Sequence, residues 1–160
     1  MSMDWPVVKF RRLSEAAQMP VRATAAAAAY DLFSTQDCYL SVWKTRQLVA
    51  TGIGIQLPPN HVALVCSRSG LAHKEGIFVV NSPGVIDEDY TGEIKVILGW
   101  QDKSLYFSDG EYRHLPVGSR IAQLLILPRP QINVQEVTDF IPTERGDAGF
   151  GSTGVYAYAC

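Results

Sequence analysis

Ile94-Lys95-Val96-Ile97-Leu98-Gly99-Trp100 places a large apolar side chain at every second position. Successive side chains point to opposite faces of a β-strand, so this spacing predicts a strand that buries one face. The same alternation, or a short apolar run, recurs at four other places: Ile53, Ile55 and Leu57; Val62, Leu64 and Cys66; Ile121–Leu127; and Ile132–Val137. The chain is therefore predicted to consist mainly of short strands.

Glycine and proline separate these strands, with 13 Gly and 9 Pro residues in the chain. Short strands between such turn signals are typical of an all-β sandwich or barrel. Ala25–Ala29 favours a helix by propensity, but so short a run is marginal without tertiary support, and we expect an extended segment there. Ser14–Met19 is expected to form a short helix or a turn. The sequence predicts one all-β domain.

Composition excludes several classes of protein. The chain has 160 residues, 14 basic and 16 acidic, and a net charge of −2, which argues against a strongly basic nucleic-acid-binding domain. No apolar stretch approaches the ~18 residues that a membrane span needs. The three cysteines are far apart in sequence, as in proteins of a reducing compartment. We therefore expect a soluble, cytoplasmic protein that binds neither nucleic acid nor membrane.

The sequence predicts no metal site whose ligands are all protein side chains. Asp87–Gly92 begins like a calcium-binding loop, but Leu98 stands where the bidentate Glu of an EF-hand is required. The three histidines, His61, His73 and His114, show no spacing typical of metal ligands.

Polar and glycine-rich segments indicate where a ligand binds. A β-protein is expected to place such segments in loops, and functional residues concentrate on loops. Arg68-Ser69-Gly70 and Arg145–Gly154 combine Arg, hydroxyl groups and glycine, which together suit a polyphosphate. The five segments are Tyr30–Leu32, Ser67–Ala72, Asn81–Ile94, Gly118–Leu124 and Arg145–Gly154.

These five segments, in this order, resemble the motifs of the trimeric dUTP pyrophosphatase (dUTPase) family. The most specific is Gly84-Val85-Ile86-Asp87-Glu88-Asp89-Tyr90-Thr91-Gly92-Glu93-Ile94. The resemblance implies a distorted jelly-roll β fold and a homotrimer with shared active sites. It also implies Mg²⁺-dependent hydrolysis of dUTP to dUMP and pyrophosphate. This reaction limits uracil incorporation into DNA and supplies dUMP for dTMP synthesis.

The resemblance also divides the chain. Residues 1–142 would form the β domain, and residues 143–154 a glycine-rich arm that closes over an active site. Residues 155–160 form a tail of unknown role. Three residues depart from the usual motifs: Ala29 replaces a Gly, Ser67 a Pro, and Ala148 a Gly.

The family's roles can be carried over residue by residue. Asp87 would be the general base that deprotonates water, and Gln123 would hydrogen-bond a phosphate or that water. Asp31 would bind Mg²⁺ through water, and Arg120 is expected to be a structural ion-pair partner. The substrate-binding residues implied are Arg68, Ser69, Gly70, Asn81, Val85, Ile86, Tyr90, Arg145, Phe150, Gly151, Ser152 and Thr153.

Other interpretations remain open from sequence alone. Asp87 could simply form a turn, Tyr90 could belong to the core, and the glycine-rich segment could be a disordered tail. A dCTP deaminase of the same fold family is the nearest rival enzyme. A dUTPase-like regulator that binds another protein is the alternative from a different class.

Overall fold

The structure, a computed structural model, describes residues 5–41, 43–101 and 112–148. Within these ranges the chain forms ten strands and one short helix. In chain order they are β1 (Lys9–Arg12), β2 (Tyr30–Phe33), β3 (Cys38–Ser41), β4 (Arg46–Gln56), β5 (His61–Cys66), α1 (Ser69–Glu75), β6 (Ile77–Val79), β7 (Gly84–Ile86), β8 (Glu93–Trp100), β9 (Tyr112–Leu115) and β10 (Arg120–Pro128).

Two antiparallel sheets of four strands enclose one hydrophobic core. Their strand orders are β1-β4-β8-β6 and β2-β10-β5-β7, and β3 pairs with β9 in a separate ribbon. Buried residues of β4 and β8 pack in the same cluster as those of β5 and β10. The prediction of an all-β sandwich of jelly-roll type is confirmed.

The alternating row in β8 forms the centre of this core. Ile94, Val96, Leu98 and Trp100 are all buried, as their spacing predicts. Because β8 pairs with β4 on one side and β6 on the other, it fixes the positions of both neighbours. One of the core residues is Cys38, and burial raises the pKa of its thiol.

The buried face of β5 is opposite to the predicted one. Ala63 and Val65 are buried, whereas Val62, Leu64 and Cys66 are only partly buried. All five residues of this stretch are apolar, so alternation gives two candidate faces and cannot choose between them. The sandwich takes the Ala63 face into its core.

The prediction of a strand at Ile132–Val137 is wrong for the described single chain. No strand is formed there, and Val134 is 98% exposed. An apolar run gives a stable strand only where another strand edge is available to it. Five large apolar residues of this region are exposed: Ile132, Val134, Val137, Phe140 and Ile141.

Several predicted loops have regular structure. Tyr30–Phe33 is a strand, and Ser69–Glu75 is a helix of seven residues. The strand predicted at Ile121–Leu127 is confirmed by Arg120–Pro128, which also takes up most of the loop expected at Gly118–Leu124. Ala25–Ala29 is not helical and contains a turn, and Ser14–Met19 also contains a turn. In the described part of the chain, no helix is long and apolar enough to cross a membrane.

Gly52 provides a stability prediction. It lies at a register shift between β4 and β8 and has φ of 64°, a conformation strained for other residues. A Cβ at Gly52 would lie 2.6 Å from Ser14 Oγ and 2.8 Å from Ala17 Cβ. Gly52→Ala is expected to reduce the free energy of unfolding by about 1–3 kcal/mol or more. Thermal denaturation at fixed protein concentration measures this.

Gly54→Ala, in the same strand, is the matched control. A Cβ there would make ordinary contacts, the nearest at 3.6 Å. Equal melting temperatures for the two variants would contradict the assignment of strain to Gly52.

Candidate active site

One pocket collects five of the residues that the sequence assigns to substrate and catalysis. It has a volume of about 200 Å³ and lies where β6, β7 and the start of β8 meet. Its lining includes Asn81, Val85, Ile86, Asp87 and Tyr90. Residues up to nine positions apart in the chain thus face one cavity of the fold.

The segment that carries Asp87 connects two sheets. β7 pairs with β5 in one sheet, and β8 pairs with β4 and β6 in the other. The Tyr90 amide donates to the Asp87 carbonyl oxygen at 3.2 Å and closes a turn. Asp87 is exposed at the edge of the pocket, so its carboxylate is accessible to water.

Tyr90 forms one wall of the pocket. Its hydroxyl group donates to the backbone carbonyl oxygen of Glu93 at 2.7 Å. This hydrogen bond turns the ring back towards the beginning of β8. Tyr90 as a whole remains 44% exposed, so a ligand in the pocket can reach it.

Asn81 lies on the turn that leads from β6 to β7. A Cβ at Gly84 would lie 3.0 Å from Nδ2 of Asn81. The buried glycine therefore allows the amide to lie close to the backbone of β7. An amide at this place offers both a donor and an acceptor to a ligand.

Glu88 anchors the turn after β7. Its Oε2 accepts hydrogen bonds from the Asn60 amide at 2.8 Å and from Arg129 Nη2 at 3.1 Å. The hydrogen bond from Arg129, followed by that from Asn60, lowers the pKa of Glu88. The turn that carries Asp87 is thereby tied to the end of β10.

A second group of polar residues surrounds Arg68. Arg68 Nε pairs with Asp31 Oδ1 at 3.1 Å, and Arg120 Nη1 pairs with Asp31 Oδ2 at 3.4 Å. Arg68 Nη1 also donates to the Arg120 carbonyl oxygen at 3.1 Å. Arg120 is thus an ion-pair partner, as expected. The Asp31 side chain is only 12% exposed, so the carboxylate holds both guanidinium groups in place.

Gln123 is brought next to this group by strand pairing. Within one sheet, β10 pairs Gln123 with Asp31 on one side and with Cys66 on the other. Its Nε2 donates to the Ser67 carbonyl oxygen at 2.9 Å. In this structure Gln123 therefore fixes the backbone next to Arg68.

Ser67 connects the group around Arg68 with the segment that carries Asn81. The sequence alone assigned no role to this side chain. Its Oγ accepts from the Val79 amide at 2.9 Å, and its amide donates to Ser82 Oγ at 3.3 Å. Both partners belong to the segment around Asn81. The only signal in the sequence was that Ser67 replaces the usual proline of the family.

The remaining predicted residues lie at α1 and in the C-terminal segment. Ser69 and Gly70 begin α1 and are exposed. Arg145 is in an exposed turn, where its Nε donates to the Ala148 carbonyl oxygen at 2.9 Å. Phe150, Gly151, Ser152 and Thr153 lie outside the described residues.

Comparison with known proteins shows the family of this chain. The dUTPase family model matches residues 15–154. A deoxyuridine 5'-triphosphate nucleotidohydrolase of Hydrogenobaculum sp. is 44% identical over 146 residues, which cover 91% of this chain and 96% of the relative. One of the same name from Corynebacterium glutamicum is 41% identical over 151 residues, covering 94% and 97%. The chain belongs to the dUTPase family.

Solved structures show the same fold. The dUTPase of Staphylococcus bacteriophage 80alpha, with dUPNHPP, has a TM-score of 0.80 and 28% identity over 93% of this chain and 99% of that chain. A mutant dUTPase from phage phi11 of S. aureus, described for its coordination of a structural Mg(II) ion, has a TM-score of 0.73 and 25% identity, covering 84% and 98%.

Proposed function

We propose that this chain is a dUTP diphosphatase, a nucleotide pyrophosphohydrolase that converts dUTP to dUMP and pyrophosphate. The observation that carries the proposal is the pocket that Asn81, Tyr90 and Asp87 line together. In this pocket an amide that can hydrogen-bond a base, an aromatic ring and a carboxylate all lie within reach of one bound nucleotide. The names of the relatives support the same substrate. In a cell this reaction would limit uracil incorporation into DNA and supply dUMP for dTMP synthesis.

Asp87 is the general base of the proposed reaction. Its exposed carboxylate takes a proton from a water molecule, whose oxygen attacks the α-phosphorus. A bond forms between that oxygen and the α-phosphorus. The bond from the α-phosphorus to the oxygen that bridges to the β-phosphorus breaks, and pyrophosphate leaves with the electron pair. Gln123 supports this step through the backbone of Ser67 and by a hydrogen bond to a phosphate or the water.

Selectivity for deoxyuridine follows from the pocket walls. Asn81 hydrogen-bonds the uracil edge. Backbone groups at Val85 and Ile86 make the other hydrogen bonds to uracil and leave no room for a 5-methyl group. Tyr90 lies under the deoxyribose. A ribose 2′-hydroxyl would lose its water there without gaining a partner, which costs on the order of 1–3 kcal/mol.

Phosphate binding is assigned to the groups around α1 and to the C-terminal arm. Arg68, Ser69 and the Gly70 amide hold the α- and β-phosphates. Arg68 is suited to this because the Asp31 carboxylate fixes its guanidinium group in advance. Arg145, Ser152 and Thr153 would bind the γ-phosphate when the arm, residues 143–154, closes, while Phe150 stacks on uracil with Gly151 beside it.

Magnesium fits this site if it is held through water. The described residues contain no cluster of three or more metal-ligating side chains. Mg²⁺ commonly binds through one or two carboxylates, substrate phosphates and several retained waters. Each oxygen of Asp31 has one arginine partner, and a carboxylate oxygen can accept further hydrogen bonds from metal-bound water. When bound, the ion would neutralise phosphate charge during cleavage.

A pyrophosphate-release assay tests the function. dUTP, dCTP, dTTP and UTP are compared with and without Mg²⁺, and ammonia is measured in parallel. We expect rapid release from dUTP with Mg²⁺ and little from the others. Ammonia from dCTP would favour the deaminase, and binding without turnover of any of the four would favour the regulator.

We also propose that the chain forms a homotrimer with shared active sites. Exposed apolar side chains between Ile132 and Ile141 support an assembly, because monomeric proteins seldom leave such a patch uncovered. The described start of the arm, residues 143–148, is an exposed turn held by its own hydrogen bonds. Because this part of the arm is not packed on its own domain, the arm is available to a neighbouring subunit.

Mixed trimers test the sharing of sites. An Asp87→Asn chain and a chain without residues 145–160 are each expected to be nearly inactive alone. Mixed after unfolding and refolding, they should regain part of the activity, because some sites combine an intact Asp87 with an intact arm. A monomer by light scattering, or no activity from verified mixed trimers, would contradict shared sites.

A further inference from the structure

Gly92 leaves no space for a side chain beside Tyr90, the wall of the pocket. A Cβ at this position would lie 2.7 Å from both Cζ and Oη of Tyr90 and 3.1 Å from Cε2. Non-bonded carbon atoms have their optimal separation at about 3.5–4.0 Å. The present position of the Tyr90 ring therefore requires that residue 92 have no side chain.

The backbone conformation at residue 92 does not by itself require a glycine. Gly52, Gly76, Gly118 and Gly146 have the positive φ that other residues rarely adopt, but Gly92 does not. What Gly92 permits is the approach of the ring and, with it, the hydrogen bond from the Tyr90 hydroxyl group to the Glu93 carbonyl oxygen at 2.7 Å. Residue 92 and this hydrogen bond together set the direction of the ring.

We propose that Gly92 is a specificity-determining residue that selects a deoxyribose over a ribose by holding the Tyr90 ring against the sugar position. The inference rests on the proposed function. With an added methyl group the ring must swing away from residue 92 and lose its contact with Glu93. Water then reaches the sugar, and a 2′-hydroxyl group is no longer left without a partner.

The added methyl group is expected to alter selectivity without unfolding the domain. The atoms it meets belong to the far end of the Tyr90 side chain, and this residue is 44% exposed, so the ring can move into solvent. Gly54→Ala is a matched control: its Cβ would lie 3.6 Å from the Thr91 carbonyl oxygen and 3.7 Å from that of Gly92, with Tyr90 not among its nearest neighbours.

The experiment measures kcat and KM for dUTP and UTP in the wild-type chain, Gly92→Ala and Gly54→Ala, with melting temperatures for each. In Gly92→Ala the ratio of kcat/KM for dUTP to that for UTP should fall about tenfold, as expected for relief of an unpaired hydroxyl group. The ratio in Gly54→Ala should equal that of the wild type. Tyr90→Phe, which keeps Gly92 but loses the hydroxyl group, should show a smaller fall of about threefold.

A double variant separates an effect on the ring from a general effect on the turn. In a Tyr90→Leu background no ring remains to be displaced, so adding Gly92→Ala should leave the ratio unchanged. A further fall in that background would overturn the inference, as would an unaltered ratio in Gly92→Ala when the wild-type chain hydrolyses dUTP. A wild-type chain without dUTP turnover would instead overturn the proposed function, and this inference with it.

Discussion

Asp87→Asn is expected to lower kcat for dUTP by about 10²–10⁴-fold, the usual contribution of a general base. Asparagine keeps the size and shape of the side chain but cannot take the proton of the attacking water. Because Asp87 is exposed at the pocket edge and tied into the turn mainly by backbone, the substitution should not disturb the fold. Pyrophosphate release measures kcat, and calorimetry with a non-hydrolysable dUTP analogue measures affinity, which should remain close to that of the wild type.

Asp89→Asn is the control for charge. It makes the same chemical change two residues further along the same exposed turn. Its kcat should stay within a few-fold of the wild-type value, since Asp89 does not line the pocket. Near-normal turnover in Asp87→Asn would remove Asp87 from the mechanism.

A chain that ends at Glu144 should lose most of its activity but keep its stability. In the proposed closed complex, Arg145 would contribute a charge-assisted contact of ~1.5–3 kcal/mol and Phe150 a stacking contact of ~1–3 kcal/mol. Their combined loss corresponds to about 10²-fold or more in kcat/KM. The described part of the arm is exposed, and the hydrogen bonds of its turn lie within residues 143–148. Its removal should therefore barely change the melting temperature.

A chain that ends at Gly154 controls for the loss of the last residues. It lacks only the tail, residues 155–160, and should turn over dUTP at the wild-type rate. If the chain ending at Glu144 were as active as this control, the arm would not close over the site. The glycine-rich segment would then have no role in the reaction.

The sequence predicted the core where one face of a strand was clearly more apolar than the other. Between Ile94 and Trp100, large apolar residues alternate with positions that include Lys95 and Gly99. The apolar positions of this row are buried, as the alternation predicts. The stretch from Val62 to Cys66 is apolar on both faces, so its buried face depended on which neighbours the fold supplied. Ile132–Val137 has the apolar pattern of a strand, but the pattern does not show whether a neighbouring strand is available for pairing.

The candidate site was predictable where its residues are close in the chain. Asn81 and Tyr90 belong to one continuous segment, and the pocket confirms that they are neighbours. The contact of Gln123 with Ser67 depends on pairing between β10 and β5, which spacing along the chain does not reveal. The closeness of Gly92 to the Tyr90 ring likewise depends on a side-chain direction that arises only in the folded turn.

Ser67 has a consequence for how this chain could change over evolutionary time. Proline, the usual residue of the family at this place, has no amide hydrogen and no hydroxyl group. Its introduction would leave the Val79 amide and the Ser82 hydroxyl group without their present partner. The effect of a substitution at Ser82 should thus depend on which residue occupies position 67. Ser67 and Ser82 form an epistatic pair, so a change of Ser67 to proline would be tolerated best after Ser82 had already been replaced.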